Sequence, residues 1–202
     1  MPIVYRNKPA EATEAVRTGL ELMASKSAFK TPRLHSAFTE KAVTPLTEQA
    51  LPVYNLGLSD IAASPTTKAS IHTGWRYTLK QNDEIIAHAE TVIDPNSRHL
   101  FAGTNEGPLV EGTEKAIKAA EEQSEIKKGN FEARLLFVPA LHVTALWLAD
   151  KERKADFAVP IKPVPSPLIP NKLIPLEDLL VILQEKARSV IESYRDEETL
   201  VG

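Results

Sequence analysis

Residues 131–149, FEARLLFVPALHVTALWLA, leave this chain few ways to fold, because they form its longest strongly apolar run and carry a proline in the middle. Before Pro139, Phe131, Ala133, Leu135 and Phe137 alternate with Glu132, Arg134, Leu136 and Val138. After it, Leu141, Val143, Ala145, Trp147 and Ala149 alternate with Ala140, His142, Thr144, Leu146 and Leu148. Period-two alternation rich in β-branched and aromatic residues predicts strand. A helix would lose a backbone donor at Pro139 and clash with its preceding turn. The run therefore reads as two strands, or one long strand bent at Pro139, forming the core of the molecule. Its second half is apolar on almost both faces, as in a strand covered from both sides.

The remaining segments read as elements that cover this core. Residues 9–25 predict a helix, with Pro9 in the first turn and Ala12, Val16, Leu20 and Met23 as its apolar stripe. Residues 26–67 are crossed by prolines at 32, 45, 52 and 65, and their pattern is the least regular in the chain. They predict a short helix near 37–42 or 47–50 and a strand or turn near 53–58. Residues 70–94 predict a β-hairpin, with Ile71, Thr73, Trp75, Tyr77 and Leu79 facing Ile85, Ala87, Ala89, Thr91 and Ile93. A loop made of Gln81, Asn82 and Asp83 would place Lys80 opposite Glu84, Trp75 opposite Ala89 and Tyr77 opposite Ala87. Turns are expected at 94–96 and 103–107, then a helix over 109–125 and a short strand over 157–161.

Six prolines between 160 and 175 mark an extended, polyproline-like connector. Two PxxP spacings allow it to dock in an aromatic groove, but Val164, Leu168, Ile169 and Leu173 favour a stiff segment pinned to the surface. Residues 176–194 predict the clearest helix, through Leu176, Leu179, Leu180, Leu183, Ala187, Val190 and Ile191. Residues 195–202 are expected to fray. The expectation is one α+β domain over 1–202. Its antiparallel sheet has about four to six strands in two hairpin-like units, packed with N-terminal, central and C-terminal helices.

Composition excludes some chemistry. The chain has no cysteine, so disulfides, thiolate metal sites and cysteine nucleophiles are ruled out. A formal net charge of −3 gives no basic field to attract nucleic acid or anionic membrane. No apolar run reaches the roughly 20 residues of a spanning helix, and the first residues lack a signal-peptide pattern. A cytoplasmic protein is expected.

Two places carry functional residue types. On the hairpin, Arg76 would oppose His88 and Gly74 would oppose Glu90, with His72 further along the same side. His72, Arg76, His88 and Glu90 are therefore candidate ligand-binding residues, since imidazole and carboxylate can hold a small molecule or metal, or move protons. Arg76 would repel a cation, and the outer face of an antiparallel sheet is normally polar, so a solvated face is the expected reading. In GTNEG, Gly103, Asn105 and Gly107 are candidates for an anion-presenting turn ahead of a helix. The segment lacks the spacing and lysine of a P-loop, and a plain turn is expected. His142 reads as a hydrogen-bonded buried histidine, and Trp75, Tyr77 and Trp147 as core. No catalytic motif, cofactor or metal site is assigned.

The segments VYNLGLSDIA (53–62), GWRYTL (74–79), AHAE (87–90), NEGPLVEGTEKAIKAAE (105–121) and RLLFVPALHVTALWL (134–148) resemble, in that order, a family of uncharacterised bacterial proteins. The resemblance implies a bacterial cytoplasmic protein and carries over no catalytic residue. The function expected is a non-enzymatic binding or interaction module, acting on an unknown protein partner or on a second copy of the chain. The alternative is a small enzyme or small-molecule binder using the polar hairpin face.

Overall fold

The computed structural model describes residues 2–39, 44–82, 84–152 and 154–200, with backbone alone at 44–48, 108–109 and 195–200. In chain order the elements are β1 (Ile3–Val4), α1 (Ala10–Ser25), α2 (Pro32–Thr39), β2 (Thr44–Asn55), α3 (Leu58–Ala63), β3 (Ile71–Gln81), β4 (Glu84–Ile93) and β5 (His99–Asn105). There follow α4 (Pro108–Glu121), α5 (Ser124–Lys127), β6 (Phe131–Val138), a 3-10 turn (Pro139–Leu141), β7 (Val143–Asp150), β8 (Phe157–Ile161), β9 (Ile174–Pro175) and α6 (Leu176–Leu200).

The apolar run forms two antiparallel strands, β6 and β7, joined through the 3-10 turn at Pro139. His142 closes that turn in a left-handed conformation (φ 53°) and is exposed, contrary to the buried position expected. The turn breaks the alternation that had placed it beside Leu146.

The predicted antiparallel sheet of four to six strands is incorrect. Among the described residues, the strands form one nine-stranded mixed sheet in the order β5-β4-β3-β2-β6-β7-β8-β9, with β1 also paired to β6. Both β1 and the end of β2 run parallel to β6, Ile3 against Phe131 and Val53 against Leu135. Parallel partners so distant in sequence leave no hairpin signal. The strand β2 was hidden by Pro45 and Pro52 and by a break in register between Leu46 and Leu51. It meets β6 only over Val53–Asn55, so both prolines lie on a stretch with one edge free of ladder partners. The helix expected at 47–50 is therefore strand. The one expected at 37–42 overlaps the end of α2, and its residues 40–42 lie outside the described residues.

The hairpin β3–β4 is present, but its register differs from the expected one by two residues. Gln81 pairs with Glu84, closing a tighter loop in which Asn82 is left-handed (φ 49°), and Asp83 lies outside the described residues. A bulge between Leu79 and Lys80 adds the second step, so Arg76 pairs with Glu90, Tyr77 with Ala89 and Thr78 with His88. A shift of two keeps Gly74–Leu79 and Ala87–Val92 on their expected faces, while the bulge turns Ile85 to the side of Thr78 and His88.

Helices cover both sides of the sheet. One face of β6–β8 packs Leu136, Ala145, Trp147 and Ala158 under α3 and α6. The other packs Ala133, Leu135, Leu146, Leu148 and Val159 under α4 and α5. On the outer wing, Trp75, Tyr77, Leu79, Ala87 and Ala89 lie under α1 and α2. Gly19 lets α1 approach β5, since a methyl there would sit 2.1 Å from Cγ of Phe101. Gly112 does the same for α4 over β8, where a Cβ would lie 2.9 Å from Ile161 Cγ2.

The proline-rich segment is packed against the body. Pro160 is buried within β8, Leu168 belongs to the α6 core, and the Asn171 amide donates to the Pro160 carbonyl at 3.0 Å. Val164 and Leu173 pack at its margins while Ile169 is exposed. The helix α6, expected to end at Tyr194, continues to Leu200, and residues 201–202 lie outside the described residues. Among the described residues, no helix is long and apolar enough to cross a membrane.

Candidate functional site

The polar face of β3 and β4 is buried. The helix α4 crosses it, and Arg76 and His88 retain only 1% and 2% of their exposure. The expected solvated face is therefore corrected: over Arg76 and His88 the sheet is covered on this side as well. Its charge is neutralised locally, because Arg76 donates through Nε and Nη2 to Glu90 Oε1, at 2.7 and 2.6 Å. The remaining arm, Nη1, donates to Thr113 Oγ1 of α4 at 3.4 Å, and the guanidinium carbon lies 5.1 Å from the Phe137 ring centroid. The pair is anchored from strand, helix and neighbouring ring together.

His88 lies one step along β4, opposite Thr78 on β3 and Asn105 on β5. Its Nδ1 is buried and has no hydrogen-bond partner. Burial lowers its pKa to about 3, and the Arg76 charge adds to the effect. The ring is therefore neutral at ordinary pH, when one nitrogen donates and the other accepts. It faces a pocket of about 170 Å³ between β4 and α4, lined also by Tyr5, Gln49, Thr78, Thr113 and Ile117. The pocket opens where β2 leaves its ladder between Leu46 and Leu51 and brings Gln49 to the wall. Burial and nearby Glu121 raise the pKa of Tyr5, so its phenol stays protonated.

His72 belongs elsewhere. A register break between Val53 and Tyr54 turns it to the opposite face, where its ring lies 5.2 Å from Tyr54 and 5.3 Å from Trp75. Its Nε2–H donates to the Gly74 carbonyl at 2.9 Å, and burial lowers its pKa despite that bond. Arg134 stacks nearby on Tyr54 and Trp147. Three of the four hairpin residues are thus brought together and the fourth is not.

The 103–107 turn is also corrected. Gly103 and Asn105 belong to β5, opposite Glu90 and His88. Gly103 has φ 136°, next to a bulge between Glu90 and Thr91, which is why a glycine stands there. Gly107, at φ 109°, precedes α4, while Glu106 turns inward to accept a hydrogen bond from Thr31. No loop is left to wrap an anion. Among the described residues, no group of three or more His, Asp or Glu can hold a metal ion. Thr113, Gln49 and Tyr5 were missed because no local pattern links α4, β2 and the N-terminal segment.

Among known proteins, no family model, curated protein or solved structure matches this chain.

Proposed function

We propose that the protein is a non-enzymatic binding protein that holds a small molecule in the pocket between β4 and α4. The observation supporting this is His88, an almost fully buried imidazole whose Nδ1 has no protein partner and whose ring lines the pocket. Leaving such a group unsatisfied costs about 1–3 kcal/mol, and the part of the ring that lines the pocket is what a bound molecule would meet. The same geometry favours binding over catalysis. His88 has a pKa far from neutrality, unsuited to proton transfer, and Arg76 is already committed to Glu90.

A thermal-shift screen against common metabolites tests the reading. A ligand at a hundred times its Kd adds about 2.7 kcal/mol to folding stability and raises the midpoint visibly. The shift is expected to disappear in His88→Phe. Hits that survive this substitution place binding elsewhere.

A second reading is self-association, favoured by apolar side chains on the part of the same sheet face beyond α4. Val92 and its β5 partner Leu100 are each 45% exposed, and Ile71 is 68% exposed. Gly74 lies opposite Val92, the neutralised Arg76–Glu90 pair comes next along the ladder away from Ile71, and β5 is the terminal strand of the sheet. A second copy, with the same uncharged patch and open strand edge, can meet it about a twofold axis. Sedimentation of the wild type as a dimer, and of Val92→Lys/Leu100→Lys as a monomer, is the expected result. A wild-type monomer across the concentration range overturns it.

A further inference from the structure

We propose that the protein self-associates edge to edge, with β5 of a second copy added antiparallel to β5 and the two α1 helices side by side above the join. This inference rests on the self-association reading above and specifies its geometry. The two ends of the sheet differ in how far they are closed. At one end β9 has only two residues, one of them Pro175, and runs straight into α6. At the other, β5 has seven residues, HLFAGTN, with no proline and no Lys, Arg, Asp or Glu. The bulge beside Gly103 interrupts its second half and leaves the first half regular.

The ladder fixes which main-chain groups of β5 face outward. The Asp94 amide donates to the Arg98 carbonyl at 2.9 Å, and Val92 pairs with Leu100. Hydrogen-bonded positions alternate along an antiparallel ladder. Leu100 therefore turns its N–H and C=O to β4, while His99 and Phe101 turn theirs away from the sheet. Among the described residues, neither makes a main-chain hydrogen bond outside the ladders. A second β5 satisfies both when His99 pairs with Phe101 of the second copy, and the reverse. Leu100 then faces its own counterpart, and the exposed Val92 and Leu100 of both copies join in one apolar row.

The opposite face carries an independent match in α1. Gly19 rests on the Phe101 ring, so α1 crosses β5 near the middle of the strand. Thr13 reaches inward to Tyr77 on β3, which turns the other flank of the helix, with Ala15, Thr18 and Leu22, out past β5. Leu22 is 52% exposed there. Glu11 begins this flank and Lys26 ends it. Neither has an ion-pair partner among the described residues, whereas Arg17 on the solvent side is held by Glu14 and Glu21. A twofold axis through the join sets α1 antiparallel to its copy. Glu11 then meets Lys26 of the second copy, and Ala15 meets its Leu22. This match of opposite charges and of small against large selects a second copy over an unrelated strand.

The test combines sedimentation of the full chain over a concentration series with hydrogen exchange resolved to single amides. Above the dimer Kd, the His99 and Phe101 amides should exchange at least about tenfold more slowly than in dilute protein. Glu11→Lys and Lys26→Glu lie at exposed sites and each replace attraction by repulsion at both ends of the join. Each should weaken the dimer roughly tenfold, and the double reversal should restore it to within about threefold. A dimer in which these amides exchange as in dilute protein, or which tolerates both single reversals, overturns the edge-to-edge geometry while keeping self-association. A wild-type monomer at every concentration overturns this inference and the self-association reading together, leaving the edge to a strand from another protein.

Discussion

The two wings of the sheet bury comparable surfaces by different chemistry. Around β6, β7 and β8 both faces are mostly apolar, with one Arg134–Glu132 pair at the edge, and Leu146, Leu148, Ala145 and Val159 are fully covered. Around β3 and β4 one face is equally apolar, with Trp75, Tyr77 and Leu79, but the other buries Arg76, His88 and Thr113. Hydrophobic burial is non-directional and stabilises wherever packing is good, whereas a buried ion pair loses hydration and at best roughly recovers it. The first wing is built for stability. The second buries groups that bring little net stability.

The comparison breaks most readily in the apolar wing. Leu146→Ala in β7 should destabilise by about 2–5 kcal/mol in urea unfolding, through lost transfer energy and the cavity left behind. Next comes the ion pair. Glu90→Ala strands the Arg76 charge and should cost about 2–3 kcal/mol, below the ~3–5 of a fully buried pair because Glu90 retains 28% exposure. The double change Arg76→Met/Glu90→Leu should return stability to within about 1 kcal/mol of wild type, since apolar replacements remove the desolvation cost of both charges. A double variant as unstable as the single one would show that the pair itself carries the wing.

The polar wing also predicts a pH response. The folded pKa of His88, about 3, lies below the unfolded value of 6.5. As pH falls below 6.5 the unfolded chain takes up a proton that the folded chain refuses. The stability is fully present above that pH and declines toward pH 3, by up to about 1.4 kcal/mol per pH unit. His88→Phe should remove this component, read as a flatter dependence of the unfolding midpoint on pH. The smallest effect belongs to the open patch: Val92→Thr, at an exposed site, should change monomer stability by no more than about 0.5 kcal/mol.

Sequence reading succeeded where signals were local and failed where partners were remote. The alternation of residues 131–149 and 70–94 and the helical period of 176–194 are self-contained, and each marked an element of the correct type. The mixed sheet was not legible, because Ile3 and Val53 find β6 only after long crossovers and β2 is interrupted by two prolines. Within the site, Arg76, His88 and Glu90 were visible because a two-residue error in register preserves the face. His72 was misplaced because a bulge reverses facing, and bulges leave no period to count. That α4 would roof the polar face was hidden for another reason. Its apolar side, Val110, Ala116 and Ala120, does not indicate which sheet surface it will meet.

The parallel pairing of β1 with β6 has a consequence for how the chain is assembled. Residues 10–105 contain α1, α2 and β3–β5 and close a core of their own, so this wing can consolidate from contacts near in sequence. The strand β1 has no comparable early partner: its ladder forms only after Phe131 and Glu132 arrive. During synthesis β1 is thus made long before its ladder partner, and its seating must wait for β6.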